Sequence, residues 1–134
     1  MWILWVLAIG FLLLFAYVRL APSDPARWHV RTEVDRDKTY SNGALRRLAT
    51  GPGGLKKLNA IITQDARSDV LAGSTDEGMV TYITRTRVVG FPDYVTAWME
   101  GDDLVVHSRS RFGRRDFGVN SERVDRWLAD LSGD

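Results

Sequence analysis

Cysteine is absent from the 134 residues, and histidine occurs only twice. The first absence removes disulfides, thiolate metal sites, a thiol nucleophile and a lipid-modified cysteine anchor, and it leaves the redox compartment open. His29 and His107 are widely separated and have no carboxylate cluster at ligand spacing, a poor start for a metal centre. Neither a metal nor a cofactor is expected. An excess of one charge is missing too: 18 Lys and Arg stand against 17 Asp and Glu, a formal net charge of +1. There is no domain-wide basic footprint of the kind a nucleic-acid partner needs, and none is expected. A hydrophobic share of 45% and a charged share of 26% are ordinary for a globular chain, which argues against wholesale disorder.

What is present begins with "MWILWVLAIGFLLLFAYVRL", where no side chain is charged before Arg19. The run 2–18 is at the short end of what spans a bilayer as a helix. Trp2 and Trp5 near one end and Tyr17 near the other suit the two aromatic belts, and Arg19 can snorkel. A cleaved leader needs a basic start and a small-x-small cleavage site. Here Arg19 and Leu20 spoil the obvious cleavage positions, so residues 1–20 are read as an uncleaved single-pass anchor. Arg19, Arg27, Arg31, Arg36 and Lys38 all follow the span, and by the positive-inside rule this count leans towards a cytoplasmic domain.

About 110 residues remain, enough for one small domain. Residues 21–52 read as a juxtamembrane segment, with Pro22 and Pro25 holding the exit extended, a turn at "YSNG" (40–43) and a helical turn or two at 44–49. "GPGG" at 51–54 is the clearest breaker. From there 53–134 read as the domain. Leu55, Leu58, Ile61 and Ile62 recur at helical spacing, predicting an amphipathic helix over 55–64. Strands are predicted over 67–73, 79–89, 94–99 and 104–111, separated by "STDEG", "GFPD" and "EGDD" turns. Val124, Trp127, Leu128 and Leu131 mark one face of a closing helix. The expected fold is therefore α+β: an N-terminal transmembrane helix, then a four-stranded antiparallel sheet with two helices packed on one face.

The candidate chemistry concentrates late in the chain. Alternation puts Arg85 and Arg87 on one strand face, and Val105, His107, Arg109 and Arg111 on one face of the last strand, with Ser108 and Ser110 opposite. If the arginine-bearing faces coincide, they form a basic surface for a carboxylate or phosphate; the plainer reading is a solvated face of ion pairs. His107 cannot activate Ser108 from the opposite side of a strand, and no "GxSxG" elbow is present, so nucleophilic catalysis is not indicated. "DFG" at 116–118 lacks every companion motif of a kinase. Asp116 instead suits a helix start, accepting from arginines or free amides, and Asn120 is a candidate N-cap for "SERVDRWL". Trp28 and His29 are placed at headgroup level, and Trp98 and Trp127 in the core.

Taken together, "DPARWHV" (24–30), "TRTRVVGFPDYV" (84–95) and "SRSRFGRRDFGVNSERV" (108–124) resemble the bacterial and plastid family called domain of unknown function 1499. The resemblance rests on Ser108, Ser110, Arg111, Gly113, Asp116, Gly118, Val119, Asn120 and Arg123, and covers roughly 53–131 plus the post-membrane motif. Many members carry two adjacent acidic residues where this chain has Asp93-Tyr94, and Arg114 and Arg115 are more basic than the pattern. The resemblance implies no established activity. It does imply an exported or membrane-attached domain, which favours the periplasmic side of an inner membrane over the charge count. It also implies a strand-to-helix corner in which Asp116 and Asn120 hold the helix start, with Arg111 or Arg123 as partners. The functional expectation is a membrane-anchored, non-enzymatic accessory or binding domain for an anionic envelope ligand or a partner protein. Its candidate site is Arg85, Arg87, Arg109, Arg111, Asp116, Asn120 and Arg123. The alternative is an envelope-associated enzyme, with hydrolysis as its candidate reaction, centred on the strand-to-helix corner around Asp116.

Overall fold

A computed structural model describes residues 1–133. Among these, four helices and six strands follow in the order α1 (Trp2–Leu20), α2 (Pro25–Trp28), β1 (Lys38–Tyr40), β2 (Gly43–Ala49), α3 (Gly54–Thr63), β3 (Ser68–Ser74), β4 (Met79–Arg85), β5 (Pro92–Glu100), β6 (Asp103–Ser110) and α4 (Val119–Gly133). α1 is long and apolar enough to cross a membrane, and its side chains are almost all exposed rather than packed in a core. The exit from it is not wholly extended. Asp24 accepts a hydrogen bond from the Ala26 amide at 3.0 Å, and Pro25 at the first helical position brings a φ already suited to a helix, so 25–28 form one turn.

The sheet has six antiparallel strands in the order β1-β2-β6-β5-β4-β3, not four. The two unexpected strands come from the stretch read as juxtamembrane. "ALRRLA" carries good helix formers, but β2 pairs with β6 along its whole length, from Gly43↔Arg109 to Ala49↔Asp103. That ladder outweighs a weak local preference. The turn signal at 40–43 is real: Tyr40 pairs with Gly43 across Ser41-Asn42.

Alternation along the central strands divides the side chains between two covers. Val80, Tyr82, Val95, Ala97, Leu104 and Val106 face α3 and α4, where Leu55, Leu58, Ile62, Val124 and Trp127 complete the main core. The other face carries Trp98 and Val105, closed by Val34 with Leu45 and Met79 at the margin. This second face lies under the 21–37 segment, and Trp28 stacks on Tyr94 with ring centroids 4.0 Å apart. Trp28 therefore takes a packing role on the sheet, while Trp98 and Trp127 are core residues as expected. The connections gather at two ends. The β1–β2 turn, the β4–β5 loop (86–91) and the β6–α4 corner (111–118) share one end; the β3–β4 and β5–β6 turns share the other.

Candidate functional site

The corner is built by Asp116. Leaving β6, the chain turns through Gly113 and Gly118, both at positive φ, and through Phe117, the one described residue other than glycine at positive φ, at 53°. The Asp116 carboxylate accepts from the Gly118 amide at 2.8 Å, the Asn120 amide at 3.2 Å and the Asn120 Nδ2 at 2.8 Å. It thereby satisfies donors that the first turn of α4 leaves without intrahelical partners. The sequence assigned the cap to Asn120, but Asn120 lies inside α4 and is fully buried. Its Oδ1 accepts from the Ser108 hydroxyl and its Nδ2 also donates to Ser110 Oγ at 3.0 Å, so it bolts the helix start to β6. Neither arginine expected at this corner is a partner of Asp116 or Asn120.

Arg123 instead reaches Asp93 at 3.2 Å, with both side chains buried. Burial pushes the Asp93 carboxyl up, against the opposing pull of Arg123 and the Ser110 hydroxyl. Burial likewise pulls the Arg123 guanidinium down, with Asp93 opposing. The pair ties α4 to the first residues of β5. Truncating either partner leaves a buried charge alone, a costly state.

The register of the ladders puts Arg109 and Arg111 on the same face as Arg85, a coincidence the sequence left open, but that face is covered. Arg109 Nη1 donates to Thr96 Oγ1 at 2.9 Å and to the His107 carbonyl at 3.1 Å, and Nη2 donates to the Trp28 carbonyl. Its guanidinium lies 5.4 Å from the Trp28 ring centroid. Burial lowers its pKa to about 10. Arg111 donates to the Pro22 carbonyl at 2.9 Å and to Tyr94 Oη at 3.2 Å. These two arginines fasten the post-α1 segment to the sheet. Arg85 donates to the Gly90 carbonyl at 3.0 Å within its own loop, and Arg87 lies beyond β4, exposed in that loop. The four arginines do not converge. His107 shares the covered face, with Nε2 2.7 Å from Tyr40 Oη and Nδ1 buried without a partner among the described residues.

A different set of arginines does converge. Arg67 before β3, Arg87 in the β4–β5 loop, and Arg123 and Arg126 on α4 line a cleft of about 390 Å³, in which Glu122 is the one carboxylate lining residue. Asp65 sits 3.8 Å from Arg67 and Asp93 holds Arg123, whereas Arg87 and Arg126 make no ion pair among the described residues. Local charge is therefore positive. Arg67 and Arg126 were missed from sequence. Arg126 did carry a signal, since it is three residues after Arg123 and so shares its side of α4; Arg67 carried none. A neighbouring cleft of about 320 Å³ shares Thr86 and Val119 with the first and is lined also by Asp93, Ser110, Asp116 and Phe117.

The sequence model of a family described as "protein of unknown function (DUF1499)" matches residues 18–131. The chain belongs to this family. The match reaches back to Val18, so the DUF1499 region takes in α2, β1 and β2, and with them the Trp28 carbonyl that Arg109 holds. The DUF1499 motif residues Ser108, Ser110, Asp116, Gly118 and Asn120 are those that build the corner, while the arginine cleft is assembled around them from α3–β3, β4–β5 and α4. No curated protein matches the chain.

Proposed function

We propose that the chain is a single-pass membrane-anchored binding domain that holds an anionic ligand in the cleft of Arg67, Arg87, Arg123 and Arg126. The observation that carries this reading is the meeting of four guanidinium groups from three separate segments over one cleft that one carboxylate lines. Guanidinium groups offer several donors in a planar fork, which suits phosphate and carboxylate oxygens. Asp93 holds Arg123 in place from below, so the cleft has a fixed floor and two unpaired arginines at its rim.

A non-enzymatic role fits the neighbouring residues. The Asp116 oxygens accept from the α4 start, Ser108 and Ser110 bond to Asn120, and His107 lies on the opposite face of the sheet. The enzyme alternative draws support from the raised Asp93 carboxyl beside Ser110 in the adjoining cleft, but Asp93 is held by Arg123 and Ser110 Oγ accepts from Asn120, so both groups already serve the corner.

Calorimetric titration of the full chain in detergent with inorganic phosphate tests the binding reading. The wild type binds, and replacing Arg87 and Arg126 together by Ala weakens binding roughly a hundredfold or more, since each charged hydrogen bond contributes about 1.5–3 kcal/mol. Both side chains are exposed, so the variant keeps its fold. Equal affinity in the two proteins excludes the cleft. We place the domain on the periplasmic side of an inner membrane, as the family resemblance implies. Alkaline phosphatase fused after Asp134 is then active in whole cells, and a stable but inactive fusion puts the domain in the cytoplasm.

A further inference from the structure

The end of the sheet that carries the corner also touches α1. Phe11, Leu14 and Phe15 of α1 line an apolar cavity of about 270 Å³ with Val89, Phe91 and Phe112. The Tyr17 ring meets Phe112 edge-on at 5.9 Å, and Arg19 lies against Gly90. These contacts fix a depth. A helix needs about 20 residues to cross a hydrocarbon layer of about 30 Å, and α1 has 19. At 1.5 Å per residue, Phe11 lies roughly 13 Å along the axis from Leu20. When α1 spans, the loop residues that pack on Phe11, Leu14 and Phe15 are held against the bilayer.

The same two loops present apolar side chains that are almost wholly exposed. Val88 is 88% exposed and Phe117 is 89% exposed. Phe117 also holds φ 53°, a region a bulky residue enters only at a cost, and spends that cost on pointing an aromatic ring outward. Arg87 adjoins Val88, and Arg114 and Arg115 precede Phe117, all three exposed. Apolar tips flanked by long cationic side chains are the pattern of a segment dipped into a membrane interface, with the stems in the apolar layer and the charges among anionic headgroups.

We propose that the domain docks on the bilayer that holds α1: Val88 and Phe117 enter it from the β4–β5 loop and the β6–α4 corner, with Arg87, Arg114 and Arg115 at the phospholipid headgroups. This rests on reading α1 as a retained span, and the occupant is the lipid surface rather than a protein. Docking removes one degree of freedom from the anchored domain and sets the corner end, not the β3–β4 and β5–β6 turns, against the membrane.

The absence of native cysteine makes the test direct. Single substitutions Leu7→Cys, Val88→Cys, Phe117→Cys and Asp76→Cys each accept one environment-sensitive fluorophore. The labelled full-length chains are reconstituted in vesicles of phosphatidylcholine and phosphatidylglycerol carrying nitroxide lipids at shallow or deep positions. Docking gives blue-shifted, lipid-quenched emission at 88 and 117, as at 7 in the span, and unquenched, water-like emission at 76 in the far turn. Quenching at 7 with positions 88 and 117 behaving like 76 overturns the docking and leaves the anchor standing. Unquenched emission at 7 overturns the anchor, and the docking with it.

Discussion

His107 is a base folded into a place where it cannot easily be charged. Burial first, and then the Arg109 guanidinium on the same strand face, lower its pKa from 6.5 to about 4. The unfolded chain takes up this proton as pH falls through 6.5, while the folded chain resists until about pH 4. The stability His107 protects is therefore full above pH 6.5 and declines as pH falls towards 4, by roughly 2–3 kcal/mol across that window. Urea unfolding at pH 7 and pH 4.5 should show a smaller acid-induced loss for His107→Gln than for the wild type. Equal losses would mean that His107 is not held neutral. Strand alternation in the sequence already set Val105, His107, Arg109 and Arg111 on one face, and the structure agrees. It could not tell that Trp28 and the segment behind it cover that face, because the covering contacts join positions far apart in the chain, such as Arg109 to the Trp28 carbonyl.

At the scale of elements, α4 depends on a residue outside it. Asp116 accepts from two backbone amides and one side-chain amide at the helix start, and Asn120 passes that hold on to β6 through Ser108 and Ser110. Asp116→Ala is expected to destabilise the domain by about 1–3 kcal/mol, because partly buried donors lose their acceptor. A lowered thermal midpoint, with the loss centred on α4 amides in hydrogen exchange, is the predicted result; an unchanged midpoint would refute the corner-holding role. The helical periodicity of 55–64 and the β-branched run from Met79 were legible, and the observed α3 and β4 lie within a few residues of them. The prediction for β4 ran on to Val89 because "RTRVV" has the composition of a strand, although pairing with β5 ends at Arg85↔Pro92. Strand β2 was illegible for the opposite reason: "ALRRLA" suits a helix, and its pairing with β6 makes it a strand.

Over the whole molecule, a net charge of +1 conceals a local excess. Composition sums over positions, whereas the fold brings Arg67 from ahead of β3 together with Arg87 from a loop and Arg123 and Arg126 from α4. Two of these, Arg87 and Arg123, were among the sequence candidates. Arg109 and Arg111, which looked equally available, serve as ties between the sheet and the post-α1 segment. The family motif thus builds the frame, and the arginine cleft opens at the same end of the sheet where α1 meets the β4–β5 loop. The central claim is that this cleft binds an anion. Its most direct test is the side-chain NMR spectrum of ¹⁵N-arginine-labelled protein titrated with inorganic phosphate. The account predicts saturable shifts of the Arg67, Arg87 and Arg126 Nε–Hε resonances, while those of Arg46 and Arg47, already paired to carboxylates, stay in place. Uniform small shifts across all of these arginines, or none at all, would contradict it.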